Sequence, residues 1–218
     1  MQAAIHFPNP MEGYNDGMEN TVKAEWINTE KVGYWVGAIL SPDSQQKIAV
    51  LLQELKKELP EVLWAMPAAQ LHTTLFEIVM TFRDYDEDRD VLFEKYRHDL
   101  DRELTAQLSN QVLISIQFDT VEASTNAIIV RGTDDGSFQR IRDAISSKHL
   151  LPSGTRTPPE IIHSSIARYV DEIDVTRVQE VVAAHSVDFR ETVSQLDLVR
   201  IWRMPMDFRK VKVYPLNK

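Results

Sequence analysis

The chain has no cysteine. That absence removes a disulfide framework, a thiolate zinc site and a cysteine nucleophile together. Basic charge is also in deficit, with 24 Lys and Arg against 33 Asp and Glu and a formal net charge of −9. Long duplexes are bound by exchanging condensed counterions for a basic surface, so a DNA-coating protein is excluded, whereas a small phosphate ligand held by a few local donors is not. Long apolar runs are missing as well. The longest uncharged apolar-rich stretch, residues 32–40, is about half a membrane span, and residues 1–20 carry neither a basic nor an apolar signal region. A cytoplasmic protein with no membrane partner is therefore expected. The chain also lacks a Walker loop, a dinucleotide fingerprint and a His-Glu-x-x-His zinc motif.

What is present is an ordinary globular composition, 43% hydrophobic and 26% charged over 218 residues. A chain of this length buries roughly 70% of the surface its unfolded form exposes and needs no staples. One domain with two lobes is expected over residues 29–218. Residues 1–28, interrupted by Pro8, Pro10, Gly13 and Gly17, are expected to form a tail or loose loop.

Strand-like and helix-like runs alternate after that. Residues 32–40 are rich in β-branched and aromatic side chains and end at Ser41-Pro42, an N-cap followed by proline in the first helical turn. Ile48, Leu51, Leu52, Leu55 and Leu59 then recur at helical spacing until Pro60. A strand over 71–79, an acidic stretch over 84–90 and a long helix marked by Leu92, Tyr96, Leu100, Leu104 and Leu108 follow. Strands are predicted over 111–121 and 127–131, then a helix capped by Ser137, a strand over 161–170, a helix over 175–184, and strands over 193–202 and 211–216. The order is mixed α and β with antiparallel neighbours.

One internal echo stands out. Leu71-His72-Thr73-Thr74-Leu75 and Ile162-His163-Ser164-Ser165-Ile166 share the pattern aliphatic, His, hydroxyl, hydroxyl, aliphatic, with the histidines 91 residues apart. A single His-x-Ser/Thr is unremarkable in a chain with six histidines; its repetition in matching strand contexts is not. Strand alternation puts His72, Thr74 and Phe76 on one face and His163, Ser165 and Tyr169 on another, with Arg168 on the opposite side of its strand.

Such faces suit phosphoryl transfer. Of two imidazoles, a neutral one removes a proton from the attacking oxygen and a protonated one donates to the leaving oxygen. The Thr74 and Ser165 hydroxyls, two residues along, can hold non-bridging phosphate oxygens. Tyr169 and Phe76 can offer a stacking platform for a base. No metal or other cofactor is needed for this chemistry.

His72-x-Thr74 and His163-x-Ser165, each inside an apolar strand, resemble the signature of the 2H phosphoesterase superfamily, the LigT-like or cyclic phosphodiesterase-like proteins. His163-Ser-Ser-Ile-Ala-Arg168 is also similar to the second family motif, where Leu-Ala-Arg commonly follows the hydroxyl residue. The resemblance covers residues 32–216. It implies an α+β, bilobal, pseudo-twofold fold in which two mostly antiparallel sheets form a central cleft with helices outside. It also implies a metal-independent phosphodiesterase acting on 2′,3′-cyclic phosphates or on 2′-5′-linked or cyclic oligonucleotides, with His72 and His163 as the acid–base pair. Arg168 would then reach phosphate only through a bulge or a strand end. Two departures are Ser165 where the family has Thr, and Phe76-Glu77, which resembles a less characterised bacterial branch. The alternatives are a non-catalytic module of the same fold that binds a phosphorylated ligand or RNA end, and an RNA 2′-5′ ligase-type activity. A monomer whose partner is a small nucleotide or short oligonucleotide, and no long duplex, is expected.

The acidic segment from Asp84 to Asp90 is no calcium loop, because Arg89 stands at the sixth position where glycine is required and no glutamate follows at the twelfth. It reads as a solvated loop with helix-starting charges. His6, His98, His149 and His185 have no partner pattern.

Overall fold

The computed structural model describes residues 30–217 apart from 61–62, 125–126, 156–160, 171–172 and 204–206. The expected tail, 1–28, lies outside the described residues. Nine strands and four helices are described: β1 (Glu30–Ile39), α1 (Pro42–Glu58), β2 (Leu63–Ala65), β3 (His72–Val79), α2 (Arg89–Leu108), β4 (Ile114–Ala123), β5 (Ala127–Thr133), α3 (Ser137–Ser146), β6 (Ile162–Tyr169), α4 (Val175–Ala183), β7 (Phe189–Val193), β8 (Gln195–Arg203) and β9 (Asp207–Pro215). They build two sheets, ordered β3-β1-β8-β9 and β2-β6-β5-β4-β7. Every ladder between these strands is antiparallel. Among the described residues no helix is long and apolar enough to cross a membrane.

Local chemistry explains where the helices begin. Ser41 caps α1 by accepting from Ser44 N–H, and Pro42 supplies a preset first-turn dihedral. Ile48, Leu51, Leu52 and Leu55 are buried along one stripe of that helix, each contributing roughly 1.5–3 kcal/mol by leaving water. The acidic segment does start a helix: Asp88 accepts from Asp90 N–H at 2.9 Å and Val91 N–H at 3.1 Å, capping α2. On α2 the buried stripe includes Phe93, which stacks on Tyr34 with ring centroids 3.8 Å apart, while Tyr96 is only partly buried. Asp90 fastens the same end of the helix to the first sheet. It accepts both Nε (2.8 Å) and Nη2 (2.7 Å) of Arg200 on β8 and the Tyr34 hydroxyl from β1.

The start of α3 corrects the expected Ser137 cap. Gly136 takes a left-handed φ of 85° and shifts Ser137 into the first helical position. Asp134 and Asp135 do the capping instead, accepting from Phe138 N–H at 2.9 Å and Ser137 N–H at 3.0 Å.

The main core is continuous. It runs from Val36 and Ala38 of the first sheet through α1 and α2 to Ile128, Val130 and Phe118 of the second. A smaller cluster, Trp35, Val199 and Ile201 with Ile39 and Phe208 beside it, forms on the other face of the first sheet. The two sheets meet along β3 and β6, the strands that carry the repeated motif.

Candidate active site

Each motif strand carries an extra residue at the same place, three positions after its histidine, and β3 has a second one at Ile78. On β3, Thr74 is in register with Gly37 and Phe76 with Val36, so Leu75 has no partner on β1. On β6, Ser165 is in register with Ile129 and Ala167 with Ile128, so Ile166 is the unpaired residue. Both are β-bulges, and a bulge reverses the side to which all later side chains point.

The consequence overturns simple alternation beyond the hydroxyl residue. Phe76 and Tyr169, expected on the histidine faces, are fully buried in the main core, where neither can stack on a base; Tyr169 donates its hydroxyl to the Ser124 carbonyl at 2.7 Å. Arg168 moves the other way. Expected on the opposite face, it is brought round to share a face with His163 and Ser165. By the same operation Glu77 joins His72 and Thr74. Glu77 was missed by reading the sequence, although aligning the two motifs sets it five residues after His72 as Arg168 stands five after His163.

His72, Thr74, His163, Ser165, Glu77 and Arg168 are all partly buried, whereas the intervening Thr73 and Ser164 are 0% and 1% exposed. Gly37 makes the approach beside Thr74 feasible. A Cβ there would lie 2.2 Å from the Thr73 carbonyl oxygen, so only glycine fits.

The His72 ring is fixed from two sides. Trp35, from the adjacent strand, stacks on it with centroids 4.5 Å apart. Its Nδ1 lies 2.7 Å from the Gln70 carbonyl. A carbonyl only accepts, so Nδ1 carries the proton and the neutral ring keeps its lone pair on Nε2. Burial lowers the His72 pKa to about 4, with the Arg168 charge acting in the same direction and the Gln70 contact opposing it. His163 is also lowered to about 4, by burial first, then by the charges of His72, Arg168, Arg142 and Arg131. Both imidazoles are thus neutral at pH 7, and each is close enough to Arg168 to feel its charge.

The fold therefore brings the two motif strands from both halves of the chain together, and arginine charges lower the pKa of both histidines on a protein of net charge −9. A depression lined by Asp90, Val91, Glu94 and Lys95 lies on α2, on the helix-covered side of the first sheet; it shares no residue with these strands. His185, one of the unassigned histidines, meets Glu58 at 2.9 Å.

An α+β protein whose two antiparallel sheets meet along a pair of His-x-hydroxyl strands is the class that this geometry defines. Solved structures share the architecture. Escherichia coli LigT complexed with 3′-AMP superposes with a TM-score of 0.57 at 14% identity, over 87% of this chain and 99% of that one. TT0787 of Thermus thermophilus gives 0.56 at 14% over 84% and 97%, and Kluyveromyces marxianus Usb1 with uridine monophosphate gives 0.53 at 12% over 86% and 99%. No family model matches the sequence, and no curated protein matches it. The chain has the α+β fold of two antiparallel sheets seen in these LigT-like structures, as the resemblance of its two motifs implied.

Proposed function

We propose that this chain is a metal-independent phosphodiesterase that opens 2′,3′-cyclic phosphates or cleaves 2′-5′-linked or cyclic oligonucleotides, with His72 and His163 as its acid–base pair. The observation that carries this reading is that the two His-x-hydroxyl strands, each bulged at the third residue after its histidine, come from different sheets and meet at the seam between them. The Thr74 and Ser165 hydroxyls and Arg168 bind the non-bridging phosphate oxygens. One neutral imidazole takes a proton from water as the water oxygen bonds to phosphorus. The other imidazole, protonated, gives its proton to the ribose oxygen as the phosphorus–oxygen bond to it breaks. His72, with Nε2 unprotonated, suits the base in the hydrolytic direction. A bound phosphate anion offsets the Arg168 charge and so raises the pKa of the partner that must be protonated. LigT structures with 3′-AMP and with ATP, and the Usb1 structure with uridine monophosphate, support a nucleotide as the ligand.

The test is a panel of cyclic nucleotides and 2′-5′- and 3′-5′-linked oligonucleotides, run with His72→Ala, His163→Ala and the double variant. Each single variant is expected to lose about 10²–10⁴-fold in rate. Wild-type binding of panel members without turnover would replace the enzyme by a phosphate-binding module, and turnover retained in the double variant would remove the histidines from the chemistry.

A further inference from the structure

Among the described residues, no backbone ladder joins the two sheets at their seam. β3 is an edge strand of the first sheet, and the elements beyond its outer edge are β6 and α3 of the other lobe. Carbonyls exposed along that edge must find donors elsewhere. Arg142 of α3 supplies them. Its Nε donates to the Leu75 carbonyl at 2.7 Å, and its Nη2 donates to the Thr74 carbonyl at 3.0 Å and to the Ile161 carbonyl at 3.2 Å.

The three acceptors are significant together. Leu75 is the residue of the β3 bulge inside the motif, Thr74 carries a phosphate-holding hydroxyl in the proposed reaction, and Ile161 lies two residues before His163. Arg142 is itself only 2% exposed, the largest of the fully buried side chains. Burying a guanidinium is costly unless its donors are used, and a planar fork with five fixed N–H groups can span two strands where an ammonium cannot. Phe138, one turn earlier on α3, has its ring 5.6 Å from the guanidinium carbon.

We propose that Arg142 is the positioning residue of the site, the group that locks the bulge of one His-x-hydroxyl strand to the entry of the other and so fixes the separation of the two motifs. The inference rests on the phosphodiesterase reading. Thr155 provides the control, because its hydroxyl donates at 2.7 Å to the carbonyl of Ile78, the residue of the second bulge of β3, which lies beyond the His-x-hydroxyl motif.

The experiment compares Arg142→Lys and Thr155→Val in the full chain, well below both melting temperatures. It records kcat and KM separately on whichever panel member the wild type cleaves, and the imidazole NMR resonances of His72 and His163. Arg142→Lys is expected to lower kcat about 10²-fold with KM changed only a few-fold, and to move both imidazole resonances. Thr155→Val is expected to lower the melting temperature with kcat and resonances unchanged. Wild-type kcat in folded Arg142→Lys, or an equal kcat loss in Thr155→Val, overturns the proposal. If no panel member is cleaved, the phosphodiesterase reading fails by itself, and the resonances alone decide whether Arg142 positions the motifs.

Discussion

Leu75 and Ile166 are counterparts. Each is the extra residue of a β-bulge, three positions after a motif histidine, in strands that belong to different sheets. The pair gives the site its asymmetry of charge, because the residue delivered to the motif face two places later is Glu77 in one lobe and Arg168 in the other.

Arg168 should therefore control both the phosphate and the histidines. Its charge lowers the pKa of His72 and of His163, so Arg168→Gln should raise both, and Arg168→Lys should hold them near their wild-type values. On a cleavable substrate Arg168→Gln should raise KM about 10-fold or more, the scale of a charged hydrogen bond. Histidine NMR titration with steady-state kinetics reads both effects. Unmoved histidine pKa values in the glutamine variant would show that Arg168 is not the shared neighbour.

Gly37 should tolerate nothing larger. With a Cβ placed 2.2 Å from the Thr73 carbonyl oxygen, Gly37→Ala must push β3 away from β1, at a cost of about 1–3 kcal/mol. Thr74, in register with Gly37, moves with the strand. Denaturant unfolding together with kcat should register losses in both, whereas full activity in the alanine variant would mean that Thr74 need not keep its place.

The middle residues of the motifs should behave in the opposite way. Thr73 and Ser164 point to the core side, and their buried hydroxyls have no hydrogen-bond partner among the described residues. A buried hydroxyl without a partner costs about 1–3 kcal/mol of lost hydration. Thr73→Val, which keeps the shape, should leave stability unchanged or raise it by about 1 kcal/mol, with activity retained. A marked fall in melting temperature would show that the hydroxyl is satisfied.

Much of this was legible in the sequence, and the exceptions have physical reasons. The Ser41-Pro42 start, the leucine stripes and the paired His-x-hydroxyl strands follow from local chemistry, so α1, α2, β3 and β6 stand where periodicity sets them. The bulges were not legible, because Leu75 and Ile166 are ordinary strand residues and only their pairing makes them extra. That is why alternation failed for Phe76, Tyr169 and Arg168 together. β2 was missed because three residues carry no period. β7 was missed because Glu191, at an inward position between Phe189 and Val193, is buried, its carboxylate accepting from both the N–H and the hydroxyl of Ser41. Arg142 did leave a signal: it occupies an inward place on the stripe of Phe138, Ile141 and Ile145, where a charge is out of keeping.

Acid should weaken the fold through the motif histidines. Both have a pKa of about 4 in the folded chain, against about 6.5 when unfolded. Between those values the unfolded chain binds more protons than the folded one, so stability falls as the pH is lowered from about 6.5 towards about 4 and is unaffected by these groups above that window. Carboxylates also titrate near its lower end, so the difference from a variant isolates the histidines. A His72→Asn, His163→Asn double variant should lose less stability than the wild type over that range. Melting temperatures of the two proteins, measured at half-unit steps between about pH 4 and pH 8, should converge as the pH falls. Parallel curves would mean that the imidazoles reach solvent freely and are not held neutral by the seam.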